Sequence, residues 1–158
     1  MSALSIQPRR FTRPNWRIQE MQPISCWKFG GWIMQAYEAG RFDPPAPVAF
    51  VTVRSEQLGI EIHNVPMLLD TGADVSLLPR SHAGQLMLPD AKQYELEAFD
   101  GTKSTAPAVN VELQFVGKSF RGQFLLIDSW CGVLGRNVLN SLSLLLDGPS
   151  RKWMERPY

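Results

Sequence analysis

One eleven-residue segment, Leu68-Leu69-Asp70-Thr71-Gly72-Ala73-Asp74-Val75-Ser76-Leu77-Leu78, constrains this chain more than any other stretch. It sets a carboxylate at the end of an apolar run, follows it with a hydroxyl and a glycine, and returns to apolar residues. An ionised Asp in dry surroundings needs a partner, because burying a lone charge is very costly. The triplet Asp70-Thr71-Gly72 occurs once in the chain. A matching acid in the same setting must therefore come from a second copy. The alternative is a local turn, with Asp70 bonding its own backbone and Gly72 supplying an unusual dihedral.

The surroundings of this segment read as strands. Val48 to Val53 and Ile60 to Met67 are rich in β-branched and apolar residues, with a turn around Gln57-Leu58-Gly59. Val75 to Leu78 reads as a short strand ended by Pro79, and residues 80–92 as a loop. Tyr94 to Phe99 and Lys103 to Val109 flank Asp100-Gly101, a pair favoured in two-residue hairpin turns. Val109 to Val116 and Ser119 to Ile127 make a further hairpin around Gly117-Lys118. In its first strand Val109, Val111, Leu113 and Phe115 alternate with Asn110, Glu112 and Gln114, which predicts one buried face. Arg136 to Leu142 fits a short helix and Leu144-Leu145-Leu146 a last strand. Short strands at regular spacing with one late helix predict an all-β fold, a small closed barrel or sandwich-like domain.

Upstream, the composition changes near Pro44-Pro45-Ala46-Pro47, an extended linker. Residues 1–45 hold six Lys or Arg against three Asp or Glu, while the rest hold ten against twelve, for a net charge of +1. That excess is too small to argue for nucleic acid. Trp16, Trp27, Phe29, Trp32 and Tyr37 make this segment more than a disordered tail, and Trp32 to Ala39 suits a short helix. Three readings stand open: an arm docked on the domain, a remnant of a longer precursor, and a propeptide laid over a cleft. The division expected is an extension over 1–45, a domain over 46–150 and a tail over 151–158.

With 44% hydrophobic and 20% charged residues, the chain has the material for a core. Cys26 and Cys131 allow at most one bridge and show no metal spacing; His63 and His82 have no Cys or His beside them. No metal or other cofactor is expected. No apolar run approaches the ~20 residues that span a bilayer, and Arg9, Arg10 and Arg13 interrupt any signal-peptide core. The expectation is a cytoplasmic protein engaging neither membrane nor nucleic acid.

Asp70-Thr71-Gly72-Ala73, followed downstream by Gly132-Val133-Leu134-Gly135-Arg136-Asn137, resembles the paired signatures of the retroviral-type aspartic proteases, the retropepsins. The resemblance runs over roughly residues 46–150. It implies one barrel-like lobe with a short C-terminal helix, acting as a C2 homodimer because a single lobe carries a single motif. It implies Asp70 as the catalytic residue, paired with its symmetry mate. Thr71 would bond across the axis, Gly72 and Ala73 would admit substrate backbone, and Asp74 would meet substrate and pair with Arg136. Phe99, Asp100, Gly101 and Thr102 would form the tip of a flap, although with fewer glycines than the viral flaps carry. The partners implied are a second copy and a peptide or protein with hydrophobic residues near the cut. A lobe that has lost turnover and serves only to dimerise or bind peptide, and a fragment of a larger polyprotein, are the alternatives.

Overall fold

The computed structural model describes residues 17–20, 34–88, 92–98 and 100–156, with backbone alone for 17–20. In chain order the strands are β1 (Arg17–Glu20), β2 (Met34–Ala36), β3 (Val48–Arg54), β4 (Glu61–Leu69) and β5 (Leu77–Pro79). Then follow α1 (Arg80–Ala83), a 3-10 turn (Gly84–Leu86), β6 (Gln93–Glu97), β7 (Lys103–Phe115), β8 (Lys118–Ile127) and β9 (Gly132–Leu134). The chain ends with α2 (Arg136–Leu139), β10 (Leu144–Asp147) and β11 (Lys152–Glu155).

Six strands close on themselves in the order β8-β5-β9-β4-β3-β7, with β7 returning to pair with β8. The all-β closed barrel is the fold expected. Closure leaves no free sheet edge around the ring, and inward residues fill it. Ala49, Val51, Met67, Leu113, Phe124 and Leu134 are all buried in one apolar cluster. Outside the ring, β1 pairs with the first half of β8 and β6 with β7. A separate sheet, β10-β11-β2, lies beside the barrel.

The strand boundaries differ from expectation where tertiary pairing overrides local signals. Residues 103–115 form one continuous strand with no break at Val109, because its first half pairs with β6 and its second with β3 and β8. Pro79 belongs to β5, aligned with Ile127 of β8 at the strand's end. Residues 80–86, expected as loop, form α1 and the 3-10 turn, with Ala83 and Leu86 packed into the core. Two four-residue helices are therefore present among the described residues, and α2 stops at Leu139. The tight turn after β7 is Val116-Gly117, both at positive φ (44° and 73°). Glu112, expected on the open face, is buried with its carboxylate held by Ser119, Gln114 and Arg121.

Where a helix was expected over Trp32–Ala39, Met34–Ala36 is a strand on β11. The segment after residue 150, expected as a tail, pairs with β10 on one side and β2 on the other. Trp153 on β11 is fully buried against Phe115, ring centroids 5.7 Å apart, and its Nε1–H donates to the Val48 carbonyl at 3.0 Å. A buried indole with its one donor satisfied binds this sheet to the barrel.

Candidate active site

β4 carries its apolar run to Leu69 and delivers Asp70 at the end of the barrel. Two backbone bonds hold that exit. Leu69 N–H donates to Pro47 O (3.0 Å), and Asp70 N–H to Leu134 O (3.1 Å). Residues 67–69 run parallel to 132–134. Gly132-Val133-Leu134 thus lies alongside the strand that positions Asp70, though more than sixty residues separate them in sequence.

The loop after Asp70 is tied to the start of α2. Arg136 N–H donates to Ala73 O (2.8 Å) and Asn137 N–H to Asp74 O (3.3 Å). The Arg136 guanidinium donates to the Thr71 carbonyl (3.1 Å) and forms an ion pair with the Asp74 carboxylate. Asp70, Thr71, Gly72, Ala73, Asp74 and Arg136 therefore form one connected group. The Asp70 carboxylate accepts the Gly72 N–H at 2.8 Å, the local bond that a turn would make. Gly72 does not take the positive φ which that alternative required. Asp70 and Asp74 are half-buried, Thr71 and Gly72 exposed, and Ala73 buried.

One residue that sequence reasoning left without a role completes the brace. Ser76, nearly inaccessible, accepts the Gly135 N–H (3.0 Å) and donates to Asn137 Oδ1 (2.8 Å). A hydroxyl set inside the apolar run Val75-Ser76-Leu77 was the signal available. A Cβ on Gly135 would lie 2.5 Å from Val75 O, and one on Gly132 would collide with Leu77 O. Both glycines are needed because backbone passes where a side chain would stand.

The β6–β7 hairpin ends in a three-residue connection in place of the expected two-residue turn. Ala98 N–H donates to Thr102 O (2.8 Å) and Gly101 N–H to Ala98 O (2.9 Å), with Gly101 at φ 84°. That is the pattern of a turn followed by a left-handed residue, which glycine adopts without strain. Asp100 accepts the Thr102 N–H at 2.9 Å, and its bonds with Thr102 hold its carboxyl below the usual range. Phe99 lies outside the described residues. These hydrogen bonds stay within the hairpin. Its strands meet the Asp70 region through a second apolar cluster, in which Val75, Leu77, Ala106, Ala108 and Leu125 pack with Tyr94, Leu96 and Val133.

Among the described residues no group of His, Cys, Asp and Glu is placed to hold a metal ion, and no helix is long and apolar enough to cross a membrane. Cys131 is buried with a free thiol, and burial pushes that thiol up to about 11.

A closed six-stranded barrel with an Asp-Thr-Gly loop braced by a Gly-Arg-Asn turn defines a retropepsin-like lobe. The profile of the retroviral aspartyl protease family matches residues 50–147, well over half of the chain, and the chain belongs to that family. The chain is similar in fold to a retropepsin-like aspartic protease from Rickettsia conorii, at 13% identity and a TM-score of 0.51, covering 79% of this chain and 90% of that one. It also aligns with the protease of EIAV crystallised with the inhibitor HBY-793, at 22% identity and a TM-score of 0.48, over 68% of this chain and 93% of that one.

Proposed function

We propose that this protein is an aspartic endopeptidase whose site forms when two copies each contribute Asp70. The observation that carries this reading is the setting of Asp70. It occupies the rim of the barrel on a loop tied down at both ends, with Thr71 and Gly72 beside it open to an incoming surface. A single motif supplies a single carboxylate, so a two-fold axis must bring the second. Two carboxylates held close cannot both ionise; one titrates low and the other high, as a coupled pair. The ionised member takes a proton from the attacking water. The neutral member donates towards the carbonyl oxygen, and a proton then reaches the departing amine.

Thr71 bonds across the axis in this reading, and Gly72 and Ala73 leave room for substrate backbone. Asp74, steadied by Arg136, accepts from the substrate's main chain. The β6–β7 hairpin, with Phe99, Asp100, Gly101 and Thr102 at its tip, closes over an extended peptide and excludes water. The peptide lies as an added strand with alternate side chains in pockets. The apolar cluster between the hairpin and Val75 supports a preference for hydrophobic residues beside the cut. Residues 1–45 act as a docked arm in this proposal, supported by the pairing of Met34–Ala36 with β11. The strand over Ser143–Leu146 is the proposed dimer element.

The test is Asp70→Asn, assayed on a hydrophobic peptide at mildly acid pH. Cleavage should fall by at least about 10³-fold with the fold intact by circular dichroism. Undiminished cleavage by the variant would remove the dyad from the mechanism.

A further inference from the structure

The match to the family profile begins at residue 50, yet a loop ahead of it is built into the Asp70 end of the barrel. Residues 38–46 close on themselves, with Glu38 and Ala46 exchanging backbone bonds of 2.8 and 3.0 Å. The Glu38 carboxylate turns back into the loop and accepts the Gly40 and Arg41 N–H groups at 2.6 and 3.2 Å. One residue beyond Ala46, the Pro47 carbonyl takes the N–H of Leu69, the residue before Asp70. The base of the loop is therefore fixed beside the strand end that delivers Asp70.

The tip of the loop reaches the chain between β8 and β9. Phe42 packs on Trp130 with ring centroids 5.6 Å apart, and the Arg41 guanidinium lies over the same indole, 4.5 Å from its centroid. Side chains alternate along β9 and the residue before it, so Cys131 and Val133 share a face. Val133 packs in the apolar cluster between the Asp70 loop and the β6–β7 hairpin. Cys131, next to Trp130, is buried, and Glu38 is close enough for its charge to add to the effect of burial on the thiol. Loop 38–46 thus adjoins the side of β9 that faces the hairpin, which in the reading above is the peptide's side.

Arg41 is exposed, and among the described residues no carboxylate forms an ion pair with it. A guanidinium over an indole keeps N–H donors at its edge for a carboxylate. Four residues separate Trp130 from Leu134, whose carbonyl receives the Asp70 N–H. At ~3.3 Å per residue that is at most ~13 Å, the reach of three or four residues of an extended peptide. We propose that Arg41 is a specificity-determining residue, its guanidinium over Trp130 receiving an acidic side chain of the peptide three or four residues from the cut. This role rests on the endopeptidase reading above. Two copies related by a two-fold axis place one Arg41 on each side of the cut, so an acid is favoured on both sides.

The experiment uses short alanine-based peptides with a central Leu-Phe pair and either Glu or Gln placed in turn at each flanking position. At the third or fourth residue from the cut, kcat/KM for the Glu peptide should exceed that for the Gln peptide by about fivefold. The ratio should shrink towards one in about 0.5 M salt. Arg41→Gln should bring it to one, Arg41→Lys should keep part of it, and Arg41→Glu should transfer the preference to a Lys peptide. A role in folding alone would move all peptides together and reverse none. Equal rates for Glu and Gln at every position overturn the proposal, as does a Glu preference that survives Arg41→Gln. An Arg41→Glu chain that loses its dimer by sedimentation, with the ratio unchanged, overturns it by assigning the guanidinium to contact between copies. The same peptides are titrated onto the Asp70→Asn protein. If no peptide is cleaved by the wild-type chain, binding decides. Tighter binding of the Glu peptides, lost when Arg41→Gln is added, supports the Arg41 site and counts against the endopeptidase reading, whereas equal binding overturns the site.

Discussion

Gly135 and Val75 meet where two backbones cross, and the loop carrying Asp70 is held by that crossing. A methyl at residue 135 would press on the carbonyls of Val75 and Ala73, which are main chain and must shift together. Gly135→Ala is expected to cost about 1–3 kcal/mol of stability by denaturant unfolding, with peptide cleavage falling further because the loop bearing Asp70 moves. Glu112 presents a different residue-scale problem. Burial works to raise its carboxyl, but hydrogen bonds from Ser119 and Gln114 and the charge of Arg121 outweigh it and hold the group below its ordinary value of 4.5. A lowered folded value stabilises above the unfolded one, and that stabilisation is lost as pH falls through the folded value. Melting temperature should therefore drop as pH falls below the ordinary value of 4.5 and on through the lower folded one, and Glu112→Gln should flatten that drop while lowering stability near neutrality.

At the scale of elements, the β7–β8 hairpin contains an avoidable strain. Its turn places Val116 at φ 44°, a conformation costly for a β-branched residue, beside Gly117, which adopts it freely. Asn tolerates this region, so Val116→Asn should stabilise the protein by about 1 kcal/mol in thermal or urea unfolding. Unchanged or reduced stability would mean that the valine's packing against the core outweighs its backbone cost. The β10–β11 pair is an element whose stability lies elsewhere. Its indole at Trp153 is inserted against Phe115 and bonded to Val48, so the terminal sheet and the barrel should unfold together.

For the whole molecule, the proposed sharing of one catalytic Asp70 per chain would make activity a property of the assembly. Specific activity should fall on dilution below the dimer dissociation constant, with rate varying as the square of chain concentration, and a peptide-mimetic inhibitor should restore the sedimenting dimer. Specific activity independent of concentration across the monomer–dimer transition would show that one chain suffices.

Much of the barrel and of the loop after Asp70 was legible in the sequence because their signals are local. Alternation marks β7, apolar runs mark β3 and β4, and Asp-Thr-Gly with Gly-Arg-Asn marks the two halves of one brace. Elements whose reasons lie far off in the chain were not legible. Nothing near Trp153 announces that it fills the space beside Phe115, and nothing near Met34 announces a strand on β11. Ser76 becomes a brace only when Gly135 and Asn137 arrive beside it. The sequence by itself determined an all-β chain with an Asp-Thr-Gly loop at the end of an apolar strand. Tertiary structure decided which distant backbones hold that acid and which far strands join Trp153 in the terminal sheet, because pairing and burial depend on contacts that no local window contains.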